Sequence, residues 1–283
     1  MAQLKTSIRL TTSMVECDYK SSGRSEYNGA MTLNKCATIL LGFALSAYGS
    51  QTASPSGSHS RPPEITEGEG SVHVVVEGPR PLAQALESLQ QKYKWVVDYE
   101  DPQFLSKLDL TEAQGPGKPM LPAGHQFKFD FPASGVDEGN VLQSLVDAYD
   151  ASDNPGKFEL RKGESDQFYA VGTQARNLKG QLSPQHPLLD APVTLVKRKR
   201  TVEETVKLIC LRAGERQHIQ VIIGILPRKF TQYAPVEVGG KQIPARTLLL
   251  QALAATNRRL YWRLLFDPNT KGYIFDVHAL PSS

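Results

Sequence analysis

Between Val72 and Val277 the hydrophobic pattern runs through one order twice: strand, helix, strand, then strand, helix, hairpin. In the first pass Val72, Val74 and Val76 alternate, and a Gly78-Pro79-Arg80-Pro81 turn follows. Leu82, Ala85, Leu86, Leu89 and Tyr93 then recur at helical spacing. Residues 95–99 read as a second strand ending at Asp101-Pro102, and Phe127, Phe129 and Phe131 as a third. Asp137 stands as N-cap before the stripe Val141, Leu142, Leu145, Val146 and Tyr149, and a hairpin turns at residues 162–167. In the second pass residues 193–196 form a strand. Thr201 and Glu204 have capping-box spacing, Val202, Val206, Ile209, Cys210 and Ala213 form the stripe, and Gly214 is a stop signal. A strand over 218–225, the pair Val236 and Val238, a helix from Pro244 and a hairpin around residues 267–272 complete it. Leu82 and Val202, which open the two first-helix stripes, lie about 120 residues apart.

A chain patterned in this way is confined to an α+β architecture of two similar modules, each with small mixed β-sheets and helices packed on one face. The first module spans residues 71–173 and the second 193–280, with residues 174–192 as the joint. In the closing hairpin Leu260, Trp262 and Leu264 point inward, and Tyr261 and Arg263 outward.

Upstream, Lys35 precedes an apolar run over residues 37–47. Ala47 and Gly49 take the minus-three and minus-one positions of a cleavage before Ser50, so residues 31–49 read as a secretory signal peptide. The run holds about a dozen residues, short of the roughly 20 that a spanning helix needs, so no transmembrane span is expected in the mature chain. Residues 1–30 are polar and aperiodic: either a start-site artefact ahead of Met31, or a disordered extension that makes the signal internal. Residues 50–70, rich in Ser, Pro, Gly and Glu, read as a disordered leader. The expected location is the periplasm, with the extracellular space as the alternative.

The segment Pro81-Leu82-Ala83-Gln84-Ala85-Leu86-Glu87-Ser88-Leu89, followed by Trp95-Val96-Val97-Asp98-Tyr99, resembles the short N-terminal domain of secretins and TonB-dependent receptors. The stretch from Ile243-Pro244-Ala245-Arg246 to Tyr261-Trp262-Arg263-Leu264 is similar in outline. The resemblance covers thirty to forty residues in each copy, and no barrel or pore pattern follows it. It implies a periplasmic module that contacts other proteins, and it brings no catalytic residues.

The sequence carries little chemistry. Its six histidines form no i,i+3 or i,i+4 pair, and neither HExxH, CxxC, GxSxG nor a P-loop ending occurs, so no metal, cofactor or catalytic residue is expected. Of three cysteines, Cys17 and Cys36 precede the cleavage site, leaving Cys210 on a helix stripe as a small buried hydrophobe. The formal net charge is +3, and residues 51–283 hold 27 basic and 26 acidic side chains, too even a balance to draw nucleic acid. Stacking of bases by Arg258, Arg259 and Arg263 beside Tyr261 and Trp262 yields to core packing as the explanation of those residues. The acidic run Asp98-Tyr99-Glu100-Asp101 closes a strand with no partner evident.

One cluster points outward. Lys197, Arg198, Lys199 and Arg200 place four cations directly before a helix N-terminus, where positive charge is disfavoured. Such a run is either a solvated loop or a surface that faces an acidic partner or phosphate-bearing polymer. The expected function is therefore that of an exported, non-enzymatic module binding another envelope protein or envelope component. The alternatives are a periplasmic hydrolase or a small-ligand-binding protein whose site forms only in three dimensions.

Overall fold

The computed structural model describes residues 62–113, 117–163 and 167–280. Residues 31–49, expected to be a signal peptide, residues 1–30 and residues 50–61 of the expected leader lie outside these described residues.

The first half runs β1 (Glu64–Gly68), β2 (Ser71–Val76), α1 (Pro81–Tyr93), β3 (Val97–Glu100), a small hairpin of β4 (Leu110–Glu112) and β5 (Met120–Pro122), β6 (Phe127–Pro132), α2 (Glu138–Asp150), β7 (Lys157–Lys162) and β8 (Phe168–Arg176). After β9 (Leu182–Pro184) the second half runs β10 (Pro192–Thr201), α3 (Val202–Gln217), β11 (Val221–Ile223), the single turn α4 (Arg228–Thr231), β12 (Pro235–Pro244), α5 (Ala245–Ala254), β13 (Leu260–Asp267) and β14 (Gly272–Ala279). The fold is mixed α+β with two similar halves, and strand pairing makes the similarity concrete. Antiparallel β2·β6 corresponds to β10·β12, parallel β3·β8 to β11·β14, and the hairpin β7·β8 to β13·β14.

The halves share their largest sheet, while β1-β2-β6 and β10-β12 each stay within one half. β13 pairs in parallel with β3, which joins the halves in one seven-stranded sheet ordered β11-β14-β13-β3-β8-β7, with β9 added on β8. Because β13 runs opposite to β14 while β3 runs with β8, one half is turned over relative to the other by about half a turn. Each pair of helices therefore covers a different face. Val97, Tyr99 and Ala170 bury against α1 and α2 through Leu86 and Leu145, whereas Trp262, Leu264 and Phe275 bury against α3 and α5 through Ile209 and Leu249.

This arrangement corrects three expectations. Tyr261 and Arg263 do face away from their own half's core, but α1 covers that face. Tyr261 is buried, and Arg263 pairs with Glu87 at 2.8 Å. The joint at 174–192 is packed: it holds the end of β8 and all of β9, and it buries Leu188 and Leu189 in the second core. Within the leader, residues 64–68 form β1. Ile65 leans on the first core and Glu67 pairs with Lys92 of α1 at 2.6 Å, so a short polar strand is held by its neighbours rather than by its own hydrophobicity.

Helix ends follow local chemistry. Thr201 accepts from the Glu204 amide at 3.1 Å, and Glu204 accepts from the Thr201 amide at 2.9 Å, completing the capping box. Asp137 caps α2 through the Asn140 amide at 3.0 Å. Gly214 does not end α3, which runs on to Gln217 and is closed by left-handed His218. The glycine instead admits the returning chain, since a Cβ there would stand 2.5 Å from the Ile219 carbonyl oxygen.

Candidate interaction surface

The basic run belongs to a strand, not a loop. β12 holds β10 out to Thr201, with Arg198 opposite Val238, Lys199 opposite Glu237 and Arg200 opposite Val236. A bulge between Leu195 and Arg198 shifts the register, and Gly239 permits it: a Cβ there would lie 2.5 Å from the Lys197 nitrogen. Before the bulge β10 alternates normally, burying Val193 and Leu195; beyond it, Val196, Lys197, Arg198 and Lys199 are all exposed.

Between this strand and α3 lies a cleft of about 580 Å³, lined by Arg198, Lys199, Arg200, Lys207, Leu208 and Leu211, with Glu204 at its helix end. Leu211 is 53% exposed, an uncovered aliphatic side chain within a ring of cations. Arg200 donates to the Val196 carbonyl at 3.0 Å, and among the described residues its buried Nε has no acceptor. Partial desolvation, with Arg198 adding repulsion, lowers the pKa of its guanidinium. Among the described residues, none of Lys197, Arg198, Lys199 and Arg200 has a carboxylate partner at ion-pair distance. Glu204, the acid that lines the cleft, is committed to the helix cap, and Glu237 stands opposite Lys199 on β12.

The acidic run at the end of β3 finds its partners in both halves of the chain and in the joint between them. Asp98 accepts from the Trp262 amide at 2.8 Å and from Gln167 at 2.6 Å. Glu100 takes Arg246 at 2.6 Å and the Leu189 amide at 3.2 Å; Asp101 takes Arg80 at 2.6 Å and the Phe266 amide at 2.9 Å. These carboxylates fasten the seam between the halves, an account that needs no ligand.

The other chemistry-bearing groups also have structural explanations. His73 bonds Asp130 at 2.8 Å, and His278 stacks on Tyr261 with its pKa lowered by burial and by Arg263. The buried Cys210 thiol is pushed up to about 12, which removes thiolate reactivity. A second cleft, about 590 Å³, separates α5 from β8 and is lined by Lys162, Gln167, Tyr169, Thr247, Leu250 and Gln251. Neither a histidine nor a carboxylate is among its described lining residues, so the hydrolase reading gains no constellation there. Among the described residues no cluster of His, Cys, Asp and Glu is arranged to hold a metal, and no helix is long and apolar enough to cross a membrane. No family model, curated protein or solved structure matches this chain.

Proposed function

We propose that this chain is an exported, periplasmic, non-enzymatic interaction module, and that the β10–α3 face of its second half docks an acidic envelope protein. Export rests on the signal-peptide pattern over residues 31–49, and the periplasmic setting draws support from the resemblance to secretin and TonB-dependent receptor N-terminal domains. The observation that carries the docking surface is the run of exposed Lys197, Arg198 and Lys199 and half-buried Arg200, the last three of which line a cleft with uncovered Leu211. Like charges at successive positions repel one another, and an acidic partner relieves that repulsion while it covers the leucine.

The test is titration of the full chain with a labelled heptapeptide alternating glutamate and valine, followed by fluorescence anisotropy at low and high salt. The wild-type affinity is expected to fall as salt rises. The combined variant Lys197→Gln, Arg198→Gln, Lys199→Gln and Arg200→Gln is expected to bind at least about tenfold more weakly. Equal binding by wild type and variant, or no binding by the wild type, rejects the reading.

A further inference from the structure

One difference between the two halves bears on how a partner binds. In the first half β1 lies antiparallel on the outer edge of β2, from Glu64 opposite Val75 to Gly68 opposite Ser71. In the second half the equivalent edge of β10 has no strand upon it among the described residues. We propose that an acidic, extended segment of another protein adds to this edge of β10 as β1 adds to β2. The proposal rests on the interaction reading above and specifies its geometry.

What β1 contributes in the first half describes the missing occupant. Its Glu67 carboxylate binds Lys92 of α1 at 2.6 Å, and Ile65 seals the margin of the first core. Matching Val202 to Leu82 places Arg212 of α3 where α1 has Lys92, and Leu208 and Leu211 where α1 has the polar Ser88 and Gln91. The second half therefore keeps a cation at that helix position, where Arg212 bonds Glu215 of its own helix at 2.6 Å and would exchange that partner for a strand carboxylate. It also offers more apolar surface for a strand side chain to cover. Leu211 is half exposed, and Leu208 packs only partly on the second core.

The backbone is also available at Lys199, whereas the Thr201 amide on the same edge is held by Glu204 at 2.9 Å. The Val202 amide donates to the Ala234 carbonyl at 2.9 Å, and antiparallel ladders alternate, so the main-chain groups of Arg198 and Arg200 face β12. Those of Lys199, between them, face away from β12. A lysine on an edge strand ordinarily discourages pairing. Four cations in succession repel basic strands and attract acidic ones, with no Coulombic gain for a neutral strand, so the same residues that protect the edge also select its occupant. Main-chain bonds would supply affinity, and alternating carboxylates with one β-branched side chain would supply specificity.

The experiment uses the full chain and the glutamate–valine heptapeptide in three forms: unmodified, and N-methylated at every second amide in each of the two phases. Strand addition predicts that one phase binds like the unmodified peptide while the other, whose methyl groups face β10, loses at least about tenfold in affinity. In parallel, Lys199→Pro, which removes an outward amide from an edge strand, should weaken binding well beyond Lys199→Ala. If Lys199→Pro does not fold, the peptide series alone decides. Equal binding by both methylated phases overturns strand addition and leaves acidic recognition standing. Failure of the unmodified peptide to bind overturns both.

Discussion

Arg246→Ala will lower the folding stability of the chain by about 3–5 kcal/mol, the range for removing one partner of a buried ion pair. Arg246 opens α5 in the second half, and its guanidinium meets Glu100 of β3 at 2.6 Å and Asp190 at 3.0 Å. Glu100 is fully buried, and its remaining oxygen accepts the Leu189 amide at 3.2 Å. Burial raises the Glu100 pKa and Arg246 opposes that rise, so loss of the arginine leaves the buried carboxyl either charged without its partner or driven to take up a proton. The guanidinium also lies between the Tyr169 and Trp262 rings, 5.5 and 5.4 Å from their centroids, so truncation opens a gap in the core as well. Because ordinary domains have only about 5–15 kcal/mol to lose, this single change should move the urea midpoint by a large fraction of its value. Adding Glu100→Gln to Arg246→Ala should recover part of the loss. A single-variant loss below about 1 kcal/mol would show that the pair does not fasten the two halves.

Asp98→Asn should act in the opposite direction, with a pH signature. Asp98 is wholly buried, and desolvation holds its carboxyl well above the usual range despite the Trp262 amide, the Arg246 charge and the Gln167 side chain. Between its unfolded value, about 3.9, and that raised value, the folded chain binds a proton that the unfolded chain has released. The stability this group contributes is complete below the unfolded pKa and is lost as pH rises through the folded one. Each unit separating the two values is worth about 1.4 kcal/mol. Glu100, also raised by burial, adds to the same slope. An asparagine keeps an oxygen for the Trp262 amide, and the Gln167 amide can turn to accept from its nitrogen. Urea titrations from pH 4 to 8 should therefore show wild-type stability declining with pH, and Asp98→Asn flattening the decline with a gain above about 1 kcal/mol at pH 7. A wild-type stability that climbs across this interval would mean that the carboxylate is better solvated than the fold indicates.

Strands and helices were legible in the sequence wherever one face is buried. Val72, Val74 and Val76 alternate because β2 is buried on one side only, and the stripe from Val202 to Ala213 repeats at helical spacing because α3 has one apolar face. β1 escaped notice because its hold comes from Lys92 and from pairing with β2, neither of which hydrophobicity records. The seam between the halves was hidden for a related reason. Asp98, Glu100 and Asp101 look like surface residues, and their burial follows only from β13 coming to lie beside β3 from more than 150 residues away. The one available signal was their place beside strand residues of strong apolar character, where a solvated acidic run is out of keeping. The basic cluster was legible as charge, but the pairing with β12 that makes it an edge depends on the Gly239 bulge and hence on a distant segment.

The most direct test of the docking account is amide hydrogen exchange on the full chain, with and without the unmodified glutamate–valine heptapeptide. The account predicts slowed exchange over residues 196–201 and the first turns of α3, with the cleft between α5 and β8 unchanged. Bound peptide that leaves residues 196–201 exchanging as before, or that slows only α5 and β8, would contradict it.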